Sequence, residues 1–290
     1  MSKPVVSQRS IAPPRAPRAA FDGFKGSFAE DVVGGRLRVS VIVPARNEEL
    51  NLRDVLEAIP QSVSEIIVVD GHSTDDTLGV ARRSPRRVLV LSQPSTGKAD
   101  AVRHGVRNAT GEIVVVIDAD GSTDPGEIPR FVAALAEGAD VAYGSRTIPG
   151  GGSVDLTPLR RLGNWGLTRF ANRRHNAAFT DINYGYNAFW ARSAETLLRG
   201  CDGFELEALM RVNGANAGLR YVEVPSFELS RNYGASKLNV VRDGLRILRA
   251  IAQEGVVGDV WVDPGSPGDP DPEVVVSDVR AYATSAGSLR

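Results

Sequence analysis

The feature that most constrains the fold is a series of short apolar runs that alternate with segments of helical periodicity. Runs rich in Val, Ile and Leu occupy residues 37–44, 65–70, 88–92, 112–120 and 140–146. Between the first two runs, one helical face carries Leu52, Val55, Leu56 and Ile59. Continuous apolar strands separated by helices predict an α/β fold with a mostly parallel sheet that helices cover on both faces.

Charged residues follow three of these predicted strands at the point where each ends. The first leads into Arg46 and Glu48, the second ends on Asp70, and the fourth, IVVVIDAD, ends on Asp118 and Asp120. If the strands are neighbours in a parallel sheet, their carboxyl ends share one edge, and ligands of such sheets bind in the crevice there. We therefore expect these carboxylates to converge.

A buried strand that ends on two carboxylates requires a positive charge nearby. Carboxylate oxygens are ligands that Mg²⁺ and Mn²⁺ prefer. Such an ion keeps one or two protein carboxylates and takes its other ligands from phosphate and water, so the pattern predicts Mg²⁺ or Mn²⁺ beside a nucleoside diphosphate. The simpler alternative is that residues 118–120 only cap the following helix.

Composition argues against several other classes of protein. A net charge of −1 gives no field that would draw the chain to nucleic acid. The single cysteine, Cys201, rules out a disulfide framework and favours a reducing compartment. No apolar run reaches the roughly 18–20 residues of a transmembrane helix, and no secretory signal is evident. The three histidines lack metal-ligand spacing, which argues against zinc.

Five segments, in order along the chain, resemble family 2 glycosyltransferases. They are VSVIVPARNEELNL, EIIVVDGHSTDDT, GKADAVRHGVRNATGE, VVIDADGSTDP and EVPSFELSRNYGASKL. Within the family the sequence is most similar to the dolichyl- and polyprenyl-phosphate sugar synthases. The resemblance implies a GT-A fold, which is a Rossmann-like, mostly parallel sheet flanked by helices, with a C-terminal acceptor-side subdomain. It also implies a metal-dependent, inverting hexosyltransferase with a nucleotide-sugar donor.

The resemblance further implies which residues bind the donor and the metal. The implied donor-binding residues are Pro44, Arg46, Glu48, Asp70, Lys98, Asp118 and Ala119. Among them, Glu48 would lie near the ribose, and Asp70 would accept hydrogen bonds from the base. Asp120 would bind the metal, with Asp118 and Ser122 as further candidate ligands. Ser122 stands where relatives often carry Gln, so this chain departs from the pattern there.

On the acceptor side, Arg146 with Arg160 or Arg161 matches basic residues that relatives use for the acceptor phosphate. Arg231 and Lys237, in RNYGASK, match a mobile loop that closes over the donor diphosphate. Their charges, together with a metal at the Asp-x-Asp motif, would stabilise the leaving oxygen as the bond to the sugar breaks.

The acceptor decides whether the reaction needs a general base. A polyprenyl phosphate, with a second pKa of about 6, arrives ionised and needs none. A hydroxyl of a small molecule or glycolipid requires a carboxylate, and Asp181 and Glu205, with Glu207 behind them, are the candidates. A non-catalytic nucleotide-sugar-binding module is a further alternative, against which the complete set of acidic residues and Arg231 argues.

The resemblance and the composition together predict how the chain is organised. Residues 1–34 are predicted to be a disordered basic arm, and residues 257–290 an acidic disordered tail. The nucleotide-sugar-binding half is expected at 35–146, and the acceptor-side half with a C-terminal helix at 147–256. We expect a cytoplasmic location, with peripheral contact at the inner face of the membrane as a further interpretation.

Three segments keep two interpretations each. Residues 160–174 and 239–251 carry arginines on helical patterns, typical of solvated or packed amphipathic helices but also of helices that face a phosphate or a membrane. NYGYNAFW, at 183–190, is predicted as a buried sheet edge or as part of a sugar pocket.

Overall fold

The computed structural model describes residues 37–203, 205–231, 233–234 and 240–255. Its strands are β1 (Val39–Ala45), β2 (Glu65–Asp70), β3 (Val88–Ser92), β4 (Ile113–Val116), β5 (Val141–Ser145), β6 (Gly152–Ser153), β7 (Asn187–Trp190), β8 (Tyr221–Pro225) and β9 (Phe227–Glu228). Its α-helices are α1 (Leu52–Ala58), α2 (Thr77–Arg82), α3 (Lys98–Asn108), α4 (Ile128–Ala136), α5 (Pro158–His175), α6 (Ala194–Leu197), α7 (Leu206–Asn216) and α8 (Val240–Gln253).

Seven strands form one sheet in the order β3-β2-β1-β4-β7-β5-β8. Strands β1 and β2 pair in parallel, as do β1 and β4, β2 and β3, and β5 and β8. Strand β7 runs antiparallel to both of its neighbours, β4 and β5. The prediction of a mostly parallel sheet is therefore confirmed, and the strand ends expected to meet do belong to adjacent strands, β2, β1 and β4.

Helices cover both faces of the sheet, which explains why its strands are apolar without alternation. Along β1, Val41 and Val43 belong to a core with Leu56 of α1, and the intervening Ile42 belongs to a second core with Val102 of α3. All five side chains are at most 1% exposed. Because every residue of such a strand is buried on one face or the other, the period of two that marks a half-exposed strand is absent.

Two of the predicted segments differ from the structure in position or length. The fourth strand ends at Val116 rather than at residue 120. The backbone N–H of Ile117 still donates to the carbonyl of Ile42, and the chain then leaves the sheet, so Asp118 and Asp120 lie beyond the strand. The prediction that NYGYNAFW forms a sheet edge was wrong, because β7 lies inside the sheet between β4 and β5.

The described residues belong to one compact unit. A boundary at residue 146 between a donor half and an acceptor half stays a prediction, and the proposed arm and tail lie outside the described residues. In the part of the chain that the structure describes, none of the helices combines the length and hydropathy needed to cross a bilayer.

Candidate active site

A cavity of about 720 Å³, here called the strand-end cavity, opens beyond the carboxyl ends of β1 and β4. Its lining includes Pro44, Glu48, Lys98, Asp118, Ala119, Asp120, Ser122, Tyr184, Gly185, Glu207 and Arg231. The structure thus brings together most of the residues that the sequence assigned to the donor and the metal. Their role in binding stays a prediction.

Two of the expected donor-binding residues do not line this cavity. Asp70 ends β2, and its carboxylate accepts the backbone N–H of Ser73 at 3.2 and 3.4 Å. Arg46 follows β1 and is exposed. Both lie at the same edge of the sheet as the cavity, since Ala45 pairs with Asp70. A role for them in holding the nucleobase would extend the site beyond the strand-end cavity.

Lys98 lies between two carboxylates at the cavity. Its Nζ is 2.5 Å from Oδ1 of Asp118 and 2.7 Å from Oε1 of Glu207. Burial alone would lower the pKa of Lys98, but the two carboxylates outweigh it and raise the pKa above its ordinary value. Lys98 begins α3 directly after Gly97, whose φ of +94° suits glycine.

Gly185 closes the space around this three-membered cluster. A Cβ at this position would lie 2.8 Å from Oδ2 of Asp118 and 2.9 Å from Nζ of Lys98, and 3.5 Å from Oε1 of Glu207. The segment before β7 therefore contacts the cluster through its backbone, and only glycine leaves that approach undisturbed.

Asp120 is paired with the second cation of the cavity. A terminal guanidinium nitrogen of Arg231 lies 3.0 Å from Oδ2 of Asp120, and the backbone N–H of Ser122 donates to Oδ1 at 2.9 Å. The Asp120 side chain is 7% exposed. The positive charges that balance the carboxylates after β4 are therefore Lys98 for Asp118 and Arg231 for Asp120.

The side chains at the cavity supply only part of the ligands that a hard divalent ion requires. Among the described residues, no group of three or more His, Cys, Asp and Glu side chains is arranged to hold a metal. Asp118, Asp120 and Ser122 nevertheless offer oxygen ligands to one cavity. One or two carboxylates suffice for Mg²⁺ or Mn²⁺ when a diphosphate and water supply the other ligands. Asp120 and Asp118 are therefore the residues that would hold such an ion.

Arg146 reaches the same cavity, but two carboxylates already hold its guanidinium. Nε and one terminal nitrogen bind Asp181 at 2.7 and 3.0 Å, and the other terminal nitrogen binds Glu228 at 3.0 Å. Burial would raise the pKa of Asp181, but Arg146 outweighs it and holds that pKa below its ordinary value. The role of Arg146 in acceptor binding stays a prediction, for which the structure leaves it little free donor capacity.

The three candidate bases occupy different places. Asp181 is fully buried beneath Arg146. Glu205 does not line the cavity, as its Oε2 lies 3.0 Å from Nε of Arg246 and its Oε1 accepts the backbone N–H of Asp202. Of the three, only Glu207 lines the cavity. Glu205 and Glu207 face different ways because residues two positions apart at the start of α7 differ by about 200° around the helix axis. Which carboxylate would act as a base stays a prediction.

The two neighbouring arginines at the start of α5 also line different cavities, since consecutive residues differ by about 100° around the helix axis. Arg160 lines the strand-end cavity, whereas Arg161 lines a different groove on the other side of the helix. Arg160 shares the strand-end cavity with apolar side chains from α5, from α8 and from the segment before α5. These are Leu156, Leu167, Leu245, Ile247 and Leu248. No sequence pattern predicted that α5 and α8 meet here, although the apolar periodicity of residues 239–251 indicated the apolar face of α8. Lys237 lies outside the described residues.

The comparisons with known proteins agree on family and fold. The sequence profile of Glycosyl transferase family 2 matches residues 40–198. An uncharacterized glycosyltransferase of Mycobacterium tuberculosis is 39% identical over 204 residues, which are 69% of this chain and 89% of the relative. Undecaprenyl-phosphate mannosyltransferase of Micrococcus luteus is 30% identical over 221 residues, which are 70% of this chain and 88% of that protein.

Solved structures of glucosyl-3-phosphoglycerate synthase from Mycobacterium tuberculosis share the architecture. The complex with phosphoglyceric acid has a TM-score of 0.64 at 22% identity and covers 80% of this chain and 85% of that one. The complex with Mn²⁺, UDP and glucosyl-3-phosphoglycerate has a TM-score of 0.61 at 24% identity and covers 77% and 81%. The sheet, the cavity at its strand ends and these matches lead to one conclusion: the chain belongs to glycosyltransferase family 2 and has a GT-A-like fold.

Proposed function

We propose that the protein is an inverting glycosyltransferase that moves a hexose from a nucleoside-diphosphate sugar, of the GDP-mannose or UDP-glucose type, to a polyprenyl phosphate. The observation that carries the proposal is the composition of the strand-end cavity. Residues after β1 and β4 supply carboxylates, whereas the cations come from α3, from α5 and from the segments after β5 and β9. Helices α5 and α8 supply leucine and isoleucine side chains to the same cavity. A lipid phosphate is an acceptor with both an ionic and an apolar part.

Arg160 is the best-placed cation for the acceptor phosphate. Four described cations line the cavity: Lys98, Arg146, Arg160 and Arg231. Three of them are paired with carboxylates of the site, whereas no described residue forms an ion pair with Arg160. An unpaired guanidinium matches phosphate oxygens with two parallel hydrogen bonds, and it has no carboxylate to release first.

The remaining residues act on the donor. As the bond from the anomeric carbon to the diphosphate breaks, negative charge grows on the leaving oxygen, and Arg231 and Lys98 are the cations beside it. A divalent ion held by Asp120 and Asp118 would add Lewis-acid stabilisation of the same charge. The ionised acceptor attacks from the opposite face of the sugar, which inverts the anomeric centre and requires no proton transfer.

The sequence relationship supports this acceptor. The undecaprenyl-phosphate mannosyltransferase of Micrococcus luteus is related over most of its length. Transfer to a hydroxyl is the second candidate, and one observation favours it: Glu207 lines the cavity, where a carboxylate could take the proton of a hydroxyl acceptor. A non-catalytic nucleotide-sugar-binding module is the third, and donor hydrolysis or transfer in the presence of metal would exclude it.

The experiment combines a donor screen with two variants. GDP-mannose, UDP-glucose and UDP-N-acetylglucosamine are each offered with Mn²⁺ and either a short, water-soluble prenyl phosphate or a hydroxyl acceptor. Arg160→Gln is expected to raise the KM for the prenyl phosphate about 10- to 100-fold, because a charge-assisted contact contributes roughly 1.5–3 kcal/mol. The KM for the donor should change little.

Two further measurements decide between the candidates. Arg107→Gln, which removes an exposed arginine from α3, is the matched control and should behave as wild type. If Arg160→Gln leaves the acceptor KM unchanged while Glu207→Gln abolishes turnover with a hydroxyl acceptor, the lipid-phosphate assignment is wrong.

A further inference from the structure

Helix α5 separates the strand-end cavity from a second concave surface, here called the α5 groove. This groove has a volume of about 670 Å³, and its lining includes Thr147, Arg161, Trp165, Arg169, Arg173 and Thr180. Among the described residues that line the two cavities, Asn164 alone is common to both. The α5 groove is therefore a separate site that the proposed transfer reaction does not use.

The charges of the α5 groove are of one sign and are not neutralised. Arg161, Arg169 and Arg173 line it, and no described residue forms an ion pair or a side-chain hydrogen bond with any of the three. Helix α5 contains five arginines and neither Asp nor Glu, and none of the described residues that line the groove is acidic. Three unpaired guanidiniums around one concavity are a recognition site for a phosphate group.

Apolar side chains project beside these arginines from the exposed side of the same helix. Leu159, Leu162 and Trp165 are 63%, 62% and 61% exposed, respectively. At 100° per residue, Leu162 and Trp165 lie within about 60° of Arg169 around the helix axis. Large apolar side chains grouped on one exposed face mark an interaction surface rather than ordinary surface composition.

We propose that the α5 groove binds the phosphate headgroup of an anionic phospholipid and that α5 lies on the surface of the bilayer. Leu159, Leu162 and Trp165 enter the interfacial layer, where the amphipathic indole of tryptophan is favoured. The exposed apolar side chains beside the arginines select a bilayer rather than a dissolved phosphate as the occupant. The inference deepens the proposed function, because the acceptor of that reaction resides in the same bilayer.

The test measures binding of the full-length protein to vesicles, without donor or acceptor. The vesicles contain phosphatidylcholine alone, or phosphatidylcholine with about 30% phosphatidylglycerol, at about 0.1 M salt. Wild type is expected to sediment with the anionic vesicles and to remain in solution with the neutral ones. Arg169→Gln with Arg173→Gln should weaken the partition coefficient about 30-fold.

The controls separate the groove from charge in general. Arg82→Gln with Arg87→Gln removes two exposed arginines next to β3, at the other end of the sheet, and should change partitioning by less than about twofold. Both double variants keep the arginines of residues 1–34, so any contribution from that segment is common to them. Trp165→Ala keeps every charge and should weaken partitioning about 10-fold.

Three results would overturn the proposal. The first is no sedimentation with anionic vesicles. The second is sedimentation that both double variants lose equally, which would show non-specific attraction. The third is a different occupant of the groove. It would be seen as saturable binding of inorganic phosphate, or as a dimer in gel filtration, that the Arg169→Gln, Arg173→Gln variant abolishes while its binding to vesicles stays unchanged. Because none of these measurements uses turnover, failure of the proposed transfer reaction would be seen separately.

Discussion

Gly185 offers the most direct test of how the Lys98 cluster serves the site. In Gly185→Ala the new methyl group would lie 2.8 Å from Oδ2 of Asp118 and 2.9 Å from Nζ of Lys98. Those atoms must retreat by about half an ångström to reach ordinary contact distance. Overpacking of this kind costs about 1–3 kcal/mol. Because the displaced groups face the cavity, we expect much of this cost to appear as weaker donor binding, about 5- to 150-fold in Kd.

The assay is titration calorimetry with the donor nucleotide, alongside urea unfolding of the same samples. Gly163→Ala is the matched control, because Gly163 also lines the cavity and a Cβ there meets nothing within 4 Å. This control should keep its donor affinity and gain some helix stability, up to about 1 kcal/mol. A Gly185→Ala protein that binds the donor as tightly as wild type would refute the reasoning, whatever its stability.

Four further substitutions test other parts of the site. Arg146→Met leaves Asp181 buried without its partner and should cost about 3–5 kcal/mol in urea unfolding at pH 7. Arg146 lowers the pKa of Asp181 in the folded protein. The stability that this pair contributes is therefore complete above the unfolded-state pKa of about 4 and is lost as the pH falls through the lower folded-state pKa. The difference in unfolding free energy between wild type and Arg146→Met should accordingly narrow below about pH 4. Glu207→Gln should raise the donor KM about 10-fold, whereas Glu205→Gln should change it by less than about threefold, and steady-state kinetics that reverse this order would contradict the assignment. Asp120→Asn should lower kcat by about 100-fold or more, and full turnover of the wild-type protein in EDTA would contradict a metal at this residue.

The parallel part of the sheet could be predicted because each strand carries its own local signal. The run EIIVVD at 65–70 is apolar at its four central residues and lies between two helices, and the strand has the predicted limits. The gathering of Glu48, Asp118 and Asp120 followed from topology, since parallel neighbours end at one edge. These inferences needed no knowledge of side-chain conformation.

Other features could not be predicted, because they depend on contacts between residues far apart in the sequence or on the exact residue at which a helix begins. The four residues of β7 do not encode their direction, which is set by pairing with β4 and β5. Arg146 meets partners 35 and 82 residues away. The choice between Glu205 and Glu207 depends on the residue at which α7 begins, and a shift of two residues turns a side chain to the other side of the helix.

The antiparallel direction of β7 has a consequence for how this fold could change during evolution. The chain leaves the sheet at Arg146, after β5, and re-enters it at Asn187, the first residue of β7. Since β7 runs opposite to β5, departure and return occur at the same edge of the sheet, beside the cavity. The excursion between them carries α5, so it can be lengthened, shortened or exchanged as a unit while the pairing of β1, β2 and β4 stays as it is. Under the proposed function, such an exchange of one continuous segment would change the acceptor without any change to β1, β2 and β4.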